Sequence, residues 1–179
     1  MGLLFLSGAM SALPAEASAP TVPSIAVTMT AYNAVPEQTD SDPFTTASGA
    51  YSNPEIVAAR SRDLAEELPF GTIIEIVGVA KENESCGYHV VAPLVGYRVI
   101  ADTMNARYSD RIDILFSTED NFRLKDGSVK NAGSILGICD GVSVRVVGHI
   151  DGKRPGKFPK TQGELAALVT NEGSTLALK

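Results

Sequence analysis

The stretch Ala101–Phe116, A-D-T-M-N-A-R-Y-S-D-R-I-D-I-L-F, decides how this chain is interpreted. It opens where one alternating apolar run ends, at Asp102, and it closes inside a second run that contains Asp113. The period of two predicts a strand on each side of a short polar loop. In the second strand, Asp113 points away from the face that carries the isoleucine and phenylalanine side chains. A carboxylate inside a strand is unfavourable unless the protein uses it, so the two aspartates indicate a shared functional site.

Length and composition suit one globular domain. The chain has 179 residues, 44% of them hydrophobic, and a formal net charge of −6. This is enough apolar material for one buried core. The acidic balance and the lack of a basic cluster argue against nucleic acid as a partner. No apolar run is long enough to span a membrane, so we expect no stable membrane insertion. We also expect the protein to be a monomer.

The first 19 residues have features of a targeting segment. Leu3–Leu6 form a short apolar core and Ala17–Ala19 is a small-x-small cleavage site, although no Lys or Arg precedes them. We therefore expect a signal peptide at residues 1–19, a domain at residues 20–150 and a flexible C-terminal extension at residues 151–179. Export implies a secreted, periplasmic or cell-envelope location. The alternative is an N-terminal arm that is disordered or packs on the domain.

The two cysteines, Cys86 and Cys139, become informative in an exported chain. An oxidising compartment favours a disulfide between them. Free thiols are one alternative, and a metal site is another, because each cysteine is followed by a histidine, His89 and His149. The spacing is poor for zinc, since only one Cys–His pair is close in sequence. We therefore expect a disulfide, no metal and no cofactor.

The rest of the chain is typical of short strands joined by turns. Alternating or apolar segments lie at Ile25–Tyr32, Glu55–Arg60, Ile73–Val79, Val90–Pro93, Tyr97–Ala101, Ile112–Phe116 and Val142–Gly148. Helical composition is confined to Ser61–Glu67, Lys130–Leu136 and Glu164–Val169. Six or seven short strands with so little helix predict an all-β fold, and they favour a closed barrel over an open sheet.

Five motifs in order resemble a known family. They are Thr30–Asn33 (T-A-Y-N), Thr46–Gly49 (T-A-S-G), Leu68–Thr72 (L-P-F-G-T), Asp102 and Arg111–Ile114 (R-I-D-I). Together they are similar to the three-aspartate, or 3D, domain, which resembles the catalytic barrel of the membrane-bound lytic transglycosylase A family. The resemblance covers about residues 27–147. It implies a six-stranded double-psi β-barrel with one or two short helices, and cleavage of the glycan strands of peptidoglycan.

Lytic cleavage of peptidoglycan needs one acid/base group, whereas ordinary glycoside hydrolysis needs a pair of carboxylates. The acid protonates the glycosidic oxygen, and the resulting carboxylate deprotonates the muramic C6 hydroxyl, which attacks C1 of its own sugar. Such an acid must hold its proton near neutral pH, which favours a desolvated carboxyl close to another carboxylate. Asp113, with Leu115 on its face and Asp102 as its neighbour, is the expected acid/base. The resemblance assigns the same role to Asp113.

Other polar side chains of these motifs are candidates for binding the sugar. They are Thr46, Ser48, Tyr32, Asn105 and Arg107. The hydroxyl groups would donate hydrogen bonds, Tyr32 would stack on a sugar face, and Arg107 would meet muramyl or peptide carboxylates.

Each site residue also has a purely structural alternative. Asp102 could cap a turn, and Asp113 could pair with Arg107 or Arg111. Tyr32 could anchor the barrel, and the threonine and serine side chains could simply be half-buried in strands.

Two functions therefore stay open. The first is a secreted lytic transglycosylase that forms 1,6-anhydro-muramyl ends. The second is a non-catalytic barrel, similar to expansins, that binds or loosens the peptidoglycan wall. One feature counts in favour of the second function: no Asp stands at Ala58–Arg60, near which the family's first aspartate falls. The family also usually has a Gly-Gly pair where this chain has Met104-Asn105. The two glycines would let a sugar approach the backbone closely, and this chain lacks them.

Overall fold

The computed structural model describes residues 24–39, 42–79, 86–151 and 158–176. The expected signal peptide, residues 1–19, lies outside these ranges. No described helix is both long and apolar enough to cross a membrane.

Strands account for more of the described chain than helices do. The strands are β1 (Ser24–Asn33), β2 (Val57–Arg60), β3 (Thr72–Val79), β4 (Arg98–Thr103), β5 (Arg111–Phe116), β6 (Asn121–Arg123), β7 (Val129–Asn131) and β8 (Cys139–His149). The helices are α1 (Tyr88–Val95), α2 (Ala132–Leu136) and α3 (Gln162–Leu176), with a 3₁₀ turn at Asp63–Ala65.

Six strands close into a barrel in the order β1-β5-β2-β4-β3-β8, and β6 pairs with β7 outside it. The pairs β1/β5 and β2/β4 are parallel, and the other four pairs are antiparallel. Superposing β1, β2 and β3 on β4, β5 and β8 reproduces every pair, so the barrel consists of two interlocked halves with the same connectivity. This is the double-psi arrangement, and the expected all-β class with a closed six-stranded barrel is confirmed.

Strand β5 is buried on both of its faces. Ile112 and Ile114 are fully buried in the main core cluster. Leu115 faces the other way, into a second cluster that also contains Tyr32 and Leu165. The alternation of β5 therefore separates two cores, and Asp113 lies at the edge of the second one.

Helix α1 occupies a segment whose Val90–Pro93 portion reads as a strand from sequence. Val91 and Val95 lie four residues apart and are both buried, the spacing of one helical face. A four-residue apolar run does not reveal its period, which is why the sequence misassigns it.

Helix α3 lies in the segment expected to be a flexible extension. Leu165 is fully buried against the barrel. The Gln162 side chain accepts a hydrogen bond from the Tyr97 N–H (3.1 Å) and donates one to the Tyr97 carbonyl (2.8 Å). Asn53 donates to the Lys160 carbonyl at 2.9 Å. Because the helix covers the second core cluster, residues 158–171 are part of the domain rather than a flexible extension.

Arg98, the first residue of β4, is completely buried. Its guanidinium donates to the carbonyls of Val95 and Leu94, each at 2.5 Å, of Pro54 at 2.6 Å and of Leu115 at 3.1 Å. Burial lowers the pKa of Arg98 to about 10, so the side chain is still charged at neutral pH. One buried cation therefore joins the end of α1, the approach to β2 and strand β5.

Replacing Arg98 by Met should lower the free energy of unfolding by about 3–5 kcal/mol, because it leaves several buried carbonyls without a donor. Denaturant melts of the parent and of Arg98→Met measure this difference. Arg123→Met, a matched change at an exposed position, should shift it by less than about 0.5 kcal/mol. Equal effects at the two positions would contradict the structural role of Arg98.

Cys86 and Cys139 are bonded to each other, with their Cα atoms 5.3 Å apart. The bond joins the residue two positions before α1 to the first residue of β8. Both side chains are buried.

The protein made in an oxidising compartment should contain no thiol that reacts with a labelling reagent until it is reduced and unfolded. Removing the bond with a Cys86→Ala/Cys139→Ala double variant should lower the free energy of unfolding by about 2–4 kcal/mol. Two reactive thiols in the unreduced, denatured protein would contradict the disulfide.

Candidate functional site

A polar cleft of about 570 Å³ is lined by both predicted aspartates. Asp102 enters it from the C-terminal end of β4 and Asp113 from the middle of β5. Of the other predicted residues, Tyr32, Asn105 and Arg107 line the cleft. The sequence correctly placed Asp113 inside a strand, whereas β4 extends to Thr103 and so includes Asp102, which the sequence put just after its strand. The fold brings both aspartates to one opening.

Strand β2 is what brings the two aspartates together. Ala59 is the register partner of Asp113 in the antiparallel β2/β5 pair and of Asp102 in the parallel β2/β4 pair. Neighbouring strands lie about 4.8 Å apart, so the backbones of the two aspartates are about 10 Å apart with one methyl group between them. The small side chain of Ala59 leaves the space between the carboxylates open to the cleft.

Asp102 is held by three donors. Its Oδ1 accepts hydrogen bonds from the backbone N–H groups of Ala47 (2.9 Å) and Thr103 (2.8 Å). Its Oδ2 accepts one from the Tyr32 hydroxyl at 2.9 Å. This acceptor-only pattern is that of a carboxylate, and it fixes the orientation of the side chain.

Asp113 has a different environment. Its Oδ1 accepts one hydrogen bond, 2.6 Å long, from the Thr30 hydroxyl. Burial raises the pKa of Asp113, and the negative charge of Asp102 raises it further, while the Thr30 bond and the positive charge of Arg111 oppose the shift. Asp113 is therefore the carboxyl of the cleft that is disposed to keep a proton.

Tyr32 lies beneath the cleft rather than on its open face. Its ring is buried, at 8% exposure, in the second core cluster. Burial and the neighbouring Asp102 charge raise the pKa of the Tyr32 phenol, so its hydroxyl remains a donor. This placement matches the anchoring alternative for Tyr32, with no ring face available for stacking on a sugar.

Thr46 and Ser48 do not line the cleft. The buried Thr46 hydroxyl bonds to the backbone of Ala50 (3.1 Å) and to the Ser48 hydroxyl (3.0 Å). The same turn donates from the Ser48 N–H to the Ala101 carbonyl at 3.0 Å. These side chains therefore shape the turn that points the Ala47 N–H at Asp102.

Asn105 and Arg107 lie on the exposed loop between β4 and β5. The Asn105 side chain accepts a hydrogen bond from the Arg107 N–H at 3.1 Å, which makes a tight turn. The Arg107 guanidinium stacks on the Tyr108 ring at 4.7 Å. Both predicted side chains thus border the opening where a ligand would enter.

Sequence reasoning overlooked Thr30 and Ala47. Thr30 belongs to the T-A-Y-N motif and lies two residues before Tyr32, on the same side of β1, so strand periodicity could have found it. Ala47 acts through its backbone N–H, and no side-chain pattern reveals such a donor.

The ion-pair alternative for Asp113 does not describe its contacts. The one salt bridge among the described residues joins Arg145 and Glu75, away from the cleft. Within the same part of the chain, no three His, Cys, Asp or Glu side chains are grouped in a way that could hold a metal ion.

No protein-family model matches the chain, and no curated protein matches it. The resemblance to the 3D domain therefore stays a prediction that depends on the five motifs.

Asp113→Asn should stabilise the folded protein at neutral pH by about 0.5–2 kcal/mol, the range typical of relieved functional sites. The pKa of Asp113 is raised in the folded state, so the ionised carboxyl destabilises the fold fully above that folded pKa. The cost disappears once the pH falls below the unfolded value of about 3.9. Thermal melts from pH 4 to 8 should show the gain in Tm shrinking towards acid.

Asp102→Asn serves as the matched control. The amide would turn one acceptor of Asp102 into a donor and lose one of its three hydrogen bonds, so stability should fall by about 1–3 kcal/mol. A loss of stability in both variants would contradict the unlike roles of the two aspartates.

Proposed function

We propose that this protein is a peptidoglycan-cleaving lytic transglycosylase, secreted or located in the cell envelope, in which Asp113 is the single general acid/base. The observation that carries the proposal is the unlike setting of two aspartates in one cleft. Asp102 is saturated by three donors, whereas Asp113 is desolvated and has one. A proton-holding carboxyl beside an oriented carboxylate is the pattern expected of acid/base catalysis.

The reaction needs one proton to travel out and one to return. Asp113 gives its proton to the glycosidic oxygen as the bond from C1 of the muramyl residue to that oxygen breaks. The Asp113 carboxylate then takes the proton of the C6 hydroxyl, whose oxygen bonds to C1 of the same sugar. No water is consumed, and Asp113 ends protonated as it began, since the nucleophile belongs to the substrate.

Thr30 and Asp102 support this cycle in different ways. The Thr30 hydroxyl holds one oxygen of Asp113, which leaves the other oxygen to face the sugar. The fixed negative charge of Asp102 favours the protonated form of Asp113 and attracts the positive charge that develops at C1.

The lining of the cleft suits a sugar chain. The cleft is open and mostly polar, with amide and hydroxyl groups from Gln38, Thr39 and Asn105 around its opening. Such groups donate and accept hydrogen bonds with hydroxyl and N-acetyl substituents.

The second candidate, a non-catalytic wall-binding barrel, is favoured by Ala59. This residue is the register partner of both aspartates. It belongs to Ala58–Arg60, near which the resembling family has its first aspartate. With two carboxylates rather than three, the cleft would orient a glycan without cleaving it.

Release of 1,6-anhydro-muropeptides from purified peptidoglycan tests the proposal. Asp113→Asn should fold and lose turnover by about 10²–10⁴-fold, because the amide can neither give nor take the required proton. Asp102→Asn should lose less activity and shift the pH optimum downward, since a negative charge that raises the pKa of Asp113 is gone.

Asp110→Asn is the matched control. Asp110 is an exposed carboxylate of the loop between β4 and β5, and its φ of 51° is a conformation that Asn tolerates. The activity of this variant should therefore stay at the parent level. Parent-level digestion by Asp113→Asn would remove the mechanism. A parent protein that pellets with peptidoglycan but releases no product would favour the wall-binding barrel instead.

A further inference from the structure

One wall of the cleft carries two arginines that form no ion pair with a described acidic side chain. Arg62 and Arg107 both line the opening, and both are exposed. Among the described residues, neither lies within 4 Å of an acidic side chain, since Arg145 and Glu75 form the one salt bridge found there. The lining of the same cleft also contains Glu37, Asp42, Asp102 and Asp113, but none of these carboxylates forms an ion pair with Arg62 or Arg107. In an acidic protein, exposed arginines that the carboxylates of their own cleft leave unpaired point to an anionic ligand.

Hydrogen bonds place these two arginines on the same wall. The loop that carries Arg107 is fastened at its start, where the Met104 N–H donates to the Arg60 carbonyl at 2.9 Å. It is fastened again at its end, where the Asp110 N–H donates to the Asp63 carboxylate at 2.8 Å. Since both attachment points flank Arg62, the loop and the segment that follows β2 form one surface.

Arg107 is held ready for a ligand. Its guanidinium stacks on the Tyr108 ring at 4.7 Å and donates to the Tyr108 hydroxyl at 2.8 Å. Arg111 lies near the same ring, 5.1 Å from its centre. A side chain held by stacking loses less conformational freedom when it binds a ligand, which strengthens binding.

Asp63, the acidic residue that follows Arg62 in the sequence, already has hydrogen-bond donors of its own. The Asp63 carboxylate binds backbone N–H groups and the Ser61 hydroxyl, and these bonds lower the pKa of Asp63. The Asp63 carboxylate therefore holds the end of the loop through Asp110, and it forms no ion pair with Arg62 or Arg107.

We propose that Arg62 and Arg107 form a carboxylate-binding subsite, so that the cleft prefers glycans that bear a carboxylate over neutral β-1,4-linked N-acetylglucosamine chains. The ligand class rests on the proposed function. Guanidinium groups bind carboxylates through two parallel charge-assisted hydrogen bonds, which neutral sugars cannot replace. In peptidoglycan the carboxylate is on the lactyl arm of the muramyl sugar, either free or extended by a stem peptide with carboxylates of its own.

Binding of three ligands of equal chain length tests this subsite. They are a neutral N-acetylglucosamine oligomer, a peptide-free glycan with free lactyl carboxylates, and the same glycan with its stem peptides. All measurements use the Asp113→Asn protein, so that no ligand is cleaved. At least one carboxylate-bearing ligand should bind about tenfold more tightly than the neutral oligomer, and which one does so identifies the source of the carboxylate.

The added double change Arg62→Gln/Arg107→Gln should abolish this preference while leaving affinity for the neutral oligomer unchanged. The control Arg123→Gln/Lys125→Gln removes the same charge from exposed positions outside the cleft lining and should keep the preference. Equal affinity for all three ligands, or a preference that survives the Arg62/Arg107 change, would overturn the subsite.

The two proposals fail in different ways. A parent protein that shows the preference but releases no anhydro product would overturn catalysis and leave the subsite standing. A parent protein that releases anhydro product from peptidoglycan, while its Asp113→Asn form binds the neutral oligomer as tightly as the carboxylated ones, would overturn the subsite alone.

Discussion

The buried guanidinium of Arg98 is the interaction on which the rest of the structure depends. It donates to Leu115, two residues beyond Asp113 on β5, and to Val57, two residues before Ala59 on β2. Arg98 itself begins β4, the strand whose penultimate residue is Asp102. One side chain therefore joins the three strands that carry the cleft. A guanidinium suits this role because its donors fan out in a plane, and the carbonyls around it, those at the end of α1 included, are shielded from water.

The acceptors of Arg98 explain why such a cation is needed. Leu94 and Val95 lie at the end of α1, and Pro54 lies before β2, so their carbonyls have no strand partner. A buried carbonyl costs free energy unless it finds a donor. Among the described residues no buried side-chain nitrogen or oxygen lacks a hydrogen-bond partner, which shows how fully this polar interior is satisfied.

The cleft contrasts with this well-satisfied interior. The fold supplies Asp102 with three donors but leaves Asp113 desolvated with a single hydroxyl. A buried carboxyl with so few donors is typical of a site where function costs stability. On the neighbouring wall, Arg62 and Arg107 likewise form no ion pair with a described acidic side chain.

Local sequence determined the short strands, the closed all-β barrel they predict, and the direction of Asp113. Strand periodicity acts over a few residues, so the alternation of Ile112–Phe116 is enough to turn Asp113 away from the isoleucine face. Tertiary structure alone decided that Ala59 separates Asp102 from Asp113, that the Ala47 N–H reaches Asp102, and that α3 covers the barrel. These features depend on which distant segments become neighbours when the barrel closes. No local period records that pairing, because hydrogen bonds between crossing strands are made by backbone groups that every residue shares.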